Sequence, residues 1–123
     1  MTYVPGARFG VELTPEHPVE RVVELGVHAE TAGFEDVYLS VHYNNRDPFA
    51  ALSRLAVETS DIGLGPGVAN PHDRHPLTLA SQVATLDAAS DGRARFGLGP
   101  GDPSTTRNLD AADDRGLRPV LEP

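Results

Sequence analysis

The chain has 123 residues and a formal net charge of −8; all ten of its basic residues are arginine, and it contains no lysine. That balance excludes a nucleic-acid binder held by a basic face, and the absence of cysteine excludes disulfides, thiolate nucleophiles and zinc–thiolate centres. The opening Met1-Thr-Tyr-Val-Pro-Gly6 lacks the basic and apolar regions of a secretory signal, and no apolar run approaches the ~18 residues of a membrane span. The expected setting is therefore the cytoplasm, without a membrane or nucleic-acid partner. Acidic, lysine-free surfaces suit concentrated salt; a GC-rich genome that writes arginine for lysine is the alternative reading.

In chain order, Arg8-Phe-Gly-Val-Glu-Leu13 has a strand's length and apolar character, interrupted by one carboxylate. Pro18 stands where a first helical residue would, and Val19, Val22, Val23, Gly26 and Val27 then follow helical spacing until Gly33. Asp36 to Ser40 is a second strand, followed by the polar loop His42-Tyr-Asn-Asn-Arg46. Asp47-Pro48 is an N-cap with proline behind it, and Phe49, Leu52, Leu55 and Ala56 mark the buried side of a second helix. Ile62 to Val68 is a third strand. His75-Pro76 opens a third helix through Leu79, Ala80, Val83, Leu86 and Asp87. Asp91-Gly92 turns into a fourth strand, Ala94 to Leu98, and Leu117 to Pro123 looks like the first turn of a fourth helix.

A β-α-β-α-β-α-β order with apolar strands predicts an α/β fold with a parallel sheet and right-handed crossovers. A (β/α)8 barrel takes ~250 residues, so the expectation is the N-terminal half of such a TIM barrel. It would have four parallel strands, three helices and the start of a fourth, in one domain over residues 1–123 truncated after about strand four. A small, complete doubly wound sheet is the rival, and the truncated last helix favours the half barrel.

The chain is organised around Gly63-Leu-Gly-Pro-Gly-Val-Ala-Asn-Pro71, which nearly returns as Gly97-Leu-Gly-Pro-Gly-Asp102 about one βα unit later. Two strands that each end in Gly-Pro-Gly predict neighbouring strand ends where backbone approaches a ligand, and the two loops read as one binding surface. Glu12 is the leading chemical candidate. A carboxylate at the end of an apolar strand costs desolvation unless paired, burial raises its pKa, and a raised pKa lets it donate a proton near neutral pH. His42-Tyr43-Asn44-Asn45 offers donors, an acceptor and an aromatic edge, and Asp102 closes the second loop on the same rim. His72-x-x-His75 lacks a third ligand, so no metal site is expected. The glycine runs match neither a dinucleotide fingerprint nor a Walker loop, and no Gly-x-Ser-x-Gly elbow occurs.

Taken together, Phe9-Gly-Val-Glu-Leu13, His42-Tyr-Asn-Asn45, Leu64 to Pro71, Ala84-Thr-Leu-Asp87 with Gly92-Arg-Ala94, and Gly97 to Asp102 resemble the coenzyme F420-dependent methylenetetrahydromethanopterin reductases. These belong to the bacterial-luciferase-like superfamily of (β/α)8 barrels. The resemblance runs from about Arg8 to Glu122 and lies nearest a haloarchaeal-looking branch. It implies hydride transfer from reduced F420 to the methylene carbon of a pterin or folate, with Glu12 as the acid that protonates a pterin nitrogen. It implies a non-prolyl cis peptide at Gly67-Val68 backing the deazaflavin, and cofactor-cleft positions at His42, Gly67, Val68, Ala69, Asn70 and Asp102. Val41 departs from the family, which carries aspartate or another polar residue before the histidine. An FMN-dependent monooxygenase or an F420-dependent alcohol dehydrogenase of the same superfamily is the second enzyme reading. The third is a catalytically silent, truncated fragment, alone or assembled with a second copy or a complementary half barrel.

Overall fold

The computed structural model describes residues 5–42 and 45–103. Three strands, β1 (Gly10–Leu13), β2 (Asp36–Leu39) and β3 (Gly63–Pro66), alternate with three helices, α1 (Val19–Thr31), α2 (Pro48–Glu58) and α3 (Pro76–Ala89). The sheet order is β1-β2-β3 and both pairings are parallel, with Glu12 opposite Tyr38 and Tyr38 opposite Gly65.

Each helix starts where its sequence stops the chain from continuing as a strand. The Pro18 carbonyl accepts from the N–H groups of Arg21 and Val22 at the head of α1. Asp47 Oδ2 accepts from the Ala50 N–H at 2.9 Å to cap α2, and His75 Nδ1 accepts from the Leu77 N–H at 3.1 Å to cap α3. Gly33, at φ +92°, ends α1 in the left-handed conformation that favours glycine.

Side chains alternate across the strands. Leu13, Val37, Leu39 and Leu64 enter the core with Val22, Val23, Leu52, Leu55 and Leu86 from the helices. The opposite face carries Gly10 and Glu12, then Asp36 and Tyr38, then Gly63 and Gly65. It is polar or bare, which suits the interior of a barrel mouth better than a second helical layer.

The fourth strand is a correction to the sequence reading. Residues 94–98 run parallel beside β3 but form no continuous ladder with it: two isolated bridges, Leu64 to Ala94 and Ala69 to Leu98, are joined by a single further bond from the Gly97 N–H to the Pro66 carbonyl at 3.0 Å. Between those bridges five steps along the β3 side oppose four along the other, so an extra residue breaks the ladder as a bulge does. The expected start of a fourth helix at Leu117 lies outside the described residues. So do Tyr43 and Asn44.

What holds residues 94–98 in place is close approach. A Cβ on Gly65 would lie 1.7 Å from the Arg95 carbonyl oxygen, and one on Gly63 would lie 2.3 Å from Asp36 Oδ1. Arg95 Nε donates to Asp36 Oδ1 at 2.9 Å, and Arg8 donates to both oxygens of the same carboxylate at 3.2 Å. Asp36, 6 % exposed, is thereby a buried charge with two cations. Arg93 clamps the far end of α2, with Nη2 on the Ala56 and Thr59 carbonyls and Nη1 on the Ile62 carbonyl, a cation at a helix C-terminus.

Glu30 ties α1 to the turn before β3. Its carboxylate accepts from the N–H groups of Ser60, Asp61 and Ile62 at 2.8 to 3.0 Å. Partial burial pushes its pKa up, but those three donors outweigh it and hold the group below its ordinary value of 4.5. Beside α3, a groove of about 550 Å3 is lined by Pro71, Leu79, Val83, Phe96 and Leu98.

Gly65→Ala is expected to destabilise the protein by more than the ~1–3 kcal/mol usual for overpacking, because backbone rather than a flexible side chain must move; urea unfolding measures it. For Glu30 the folded pKa lies below the unfolded one, so its stabilisation is complete above pH 4.5 and is lost as pH falls through the folded value. Glu30→Gln is therefore expected to flatten the acid limb of a stability–pH profile, and an unchanged limb would remove Glu30 from that role.

Candidate active site at the strand ends

The residues singled out by sequence gather on the side of the sheet where the strands end. Glu12 is the penultimate residue of β1, and Ser40 follows β2 directly. The Ser40 N–H donates to the Leu13 carbonyl at 2.9 Å, extending the parallel pairing by one step. That step places the Ser40 hydroxyl where it donates to Glu12 Oε1.

Glu12 is exposed, which differs from the burial expected of it. At β1 this face of the sheet is uncovered by the described residues, so the carboxylate is held by a hydroxyl rather than by apolar walls. Ser40 is 8 % exposed and was missed by the sequence reading. A signal existed: a hydroxyl two residues beyond Tyr38 on the same strand face lies diagonally across from Glu12.

The two Gly-Pro-Gly loops lie side by side, as their repetition predicts. The Ala69 N–H donates to the Gly97 carbonyl at 2.7 Å, and the Gly99 N–H donates back to the Ala69 carbonyl at 3.0 Å. The Gly67–Val68 peptide bond is cis. Val68 is 40 % exposed, and its methyl groups lie where Cβ atoms on Gly97 and Gly99 would crowd them, at 3.1 and 3.0 Å. The rim there is a step of bare backbone topped by one apolar side chain.

Asn70 is buried and engaged at both ends of its amide. Nδ2 donates to the Pro100 carbonyl, and Oδ1 accepts from the His72 N–H, each at 2.8 Å. It straps the first loop to the second. Asp102 is exposed at the end of the second loop. His42 stands apart from these contacts, on the wall of a polar cavity shared with Arg46 and Arg74. Among the described residues no group of three or more His, Cys, Asp or Glu is placed to hold a metal, and His75 serves as the cap of α3.

The sequence profile of the luciferase-like monooxygenases matches residues 1–119. The chain belongs to this family. This luciferase-like protein is 48 % identical over 97 residues to the 5,10-methylenetetrahydromethanopterin reductase of Methanopyrus kandleri, an alignment that covers 79 % of the chain and 28 % of the relative. It is 36 % identical over 118 residues to the enzyme of that name from Archaeoglobus fulgidus, covering 94 % of the chain and 35 % of the relative. The solved coenzyme F420 dependent tetrahydromethanopterin reductase from Methanopyrus kandleri superposes with a TM-score of 0.80 at 46 % identity, over 84 % of this chain and 30 % of that one. The monooxygenase RslO1 from Streptomyces bottropensis superposes at 0.75 with 28 % identity, over 85 % of this chain and 36 % of that one. The chain thus spans about a third of the length of these relatives. Its three-strand, three-helix α/β succession is similar to the luciferase-like barrel of the reductase.

Asn70→Ala is expected to cost about 1–3 kcal/mol, since it orphans a carbonyl and an N–H at once. Urea titration measures it, and a loss below about 0.5 kcal/mol would mean the strap holds little.

Proposed function

We propose that this luciferase-like protein carries the strand-end part of an F420-dependent oxidoreductase site that reduces a one-carbon-bearing pterin or folate. The observation that carries the reading is the pair of cross-bonded Gly-Pro-Gly loops on the rim where Glu12 is held by Ser40. The 48 % identity to a methylenetetrahydromethanopterin reductase supports this activity over other luciferase-like chemistries. A single domain, a cytoplasmic setting and concentrated salt go with the reading, the last supported by the net charge of −8 and the absence of lysine.

The rim residues fit a planar cofactor. Val68 offers an exposed apolar side chain packed over the bare backbone of Gly97 and Gly99, a support on which a flat ring can rest. Gly67, Val68 and Ala69 would form that support, His42 and Asp102 would border it, and Asn70 would hold the loop in shape from beneath. When bound, reduced F420 supplies the hydride.

Glu12 supplies the proton. Ser40 donates to Oε1, which fixes the carboxyl plane and leaves Oε2 to carry a proton toward a nitrogen of the carrier. General-acid assistance of this kind contributes ~100- to 10,000-fold. An FMN-dependent monooxygenase is the second reading, favoured by the likeness to RslO1.

Fluorescence titration of oxidised F420 into the chain, at low and at molar KCl with FMN alongside, tests the proposal. Saturable binding of F420 without FMN is expected. Binding of FMN instead supports the monooxygenase reading, and binding of neither means that these elements alone do not make the site. Glu12→Gln keeps the shape and removes the proton; it is expected to bind F420 within about twofold of the parent and to lower turnover by at least ~100-fold. Near-normal turnover would take Glu12 out of the acid role.

A further inference from the structure

We propose that the polar cavity between the loops that follow β2 and β3 is a subsite for a carboxylate or phosphate group, with Arg46 as its cation. The cavity has a volume of about 220 Å3 and is lined by His42, Asn45, Arg46, Asp47, Asp73 and Arg74, with Pro48 beside them. Apart from His42, none of these belongs to the cofactor and acid positions discussed above, and the inference stands whichever cofactor the rim takes.

Arg46 is fixed without being neutralised. Asn45 Oδ1 accepts from its backbone N–H at 2.8 Å, and its Nη1 donates to the Pro15 and Glu16 carbonyls at 3.1 and 3.2 Å. Those carbonyls belong to the loop directly after β1, so the guanidinium is held against the strand end that carries Glu12. Carbonyl oxygens orient a guanidinium but leave its charge intact. Among the described residues no carboxylate lies within ion-pair distance of Arg46.

The acids around the cavity already have donors. Asp73 accepts from Arg74 Nε at 3.0 Å, while Asp47 faces Arg74 through Oδ1 at 3.5 Å and caps α2 through Oδ2. Arg74 also donates to Gln82 and lies over the Phe49 ring at 5.5 Å, so it is held on the far wall. On the loop after β1, the Thr14 hydroxyl and the residue's own N–H satisfy the Glu16 carboxyl and hold it below its ordinary pKa; His42 and His17 nearby act in the same direction. One wall therefore sets Asp47 and Asp73 against the Arg74 guanidinium they share, and the other presents a preoriented cation beside the Asn45 amide and the His42 ring. A guanidinium fork bonds a carboxylate or phosphate through two parallel N–H groups, which a lysine's single point charge cannot reproduce. The volume accommodates such a group together with the first atoms of whatever bears it.

The test is an NMR titration of the isotope-labelled protein at low KCl with glutarate and, separately, with inorganic phosphate. Saturable shifts at Asn45, Arg46, Asp47 and Arg74 are expected with at least one of them, and which one answers assigns the group as carboxylate or phosphate. Arg46→Gln is expected to weaken binding at least ~10-fold, about 1.4 kcal/mol, and Arg46→Lys to fall between it and the parent. Arg21→Gln removes an equal charge from the exposed side of α1 and is expected to leave binding unchanged. Because Arg46→Gln also cuts a tie to the loop after β1, Asn45→Asp provides a second variant. It keeps the acceptor for the Arg46 N–H, places a negative charge in the cavity, and is expected to weaken binding to a similar extent. No saturable shift with either anion, shifts confined to other residues, or parent-like binding in both Arg46→Gln and Asn45→Asp would overturn the proposal.

Discussion

The carbonyl oxygen of Arg95 occupies space that any side chain on Gly65 would need. β3 must therefore be bare on that face, and its bareness lets the following segment lean across it. The Arg95 side chain then reaches over Gly63 to Asp36, which also receives Arg8. One steric allowance thus joins the strand entrances of β1, β2 and β3 to the stretch after α3. With that stretch seated, the loops at the other end of the strands fall beside each other and exchange the bonds between Ala69, Gly97 and Gly99.

The two faces of the sheet do different work. The helical side is close-packed, with Leu52, Leu55, Leu64 and Leu86 fully buried, and it sets the stability. The other side holds Glu12, Asp36, Tyr38 and Ser40 among glycines, which leave room for the Arg95 segment to pack close against β3. A one-residue slip of register would carry Asp36 and Tyr38 into the core and Val37 out of it, so the apolar face also guards the geometry of the polar one. Glu12 and Ser40 meet for the same reason, since parallel pairing leaves them diagonal neighbours on the open face.

Much of this was legible in the sequence wherever the signal was local. The helix starts at Pro18, Asp47-Pro48 and His75-Pro76 follow from proline geometry and capping, and the buried positions of α2 follow from their spacing. The repetition of Gly-Pro-Gly pointed to adjoining loops because a parallel βαβ unit returns its strands to one side. Where partners lie far apart in the chain, the sequence is mute. Arg95 and Asp36 are 59 residues apart, Arg93 and Ala56 are 37 apart, and Glu30 meets Ile62 across 32. The fourth strand was overread because its apolar run looks like β3, while the extra residue that breaks its ladder shows only in the pairing. Glu12 was expected to be buried because its neighbours in sequence are apolar, yet alternation turns it to the open face.

The contact of Tyr38 with Gly67 has an optical consequence. The chain contains no tryptophan and only three tyrosines. The Tyr38 ring lies under the cis bond, within 3.2 Å of where a Cβ on Gly67 would be. Near-ultraviolet absorption and emission thus carry, in part, an intrinsic reporter at the base of the strand-end rim. A chromophore settling on Val68 would quench it by proximity alone, so the protein brings its own gauge of occupancy without a label.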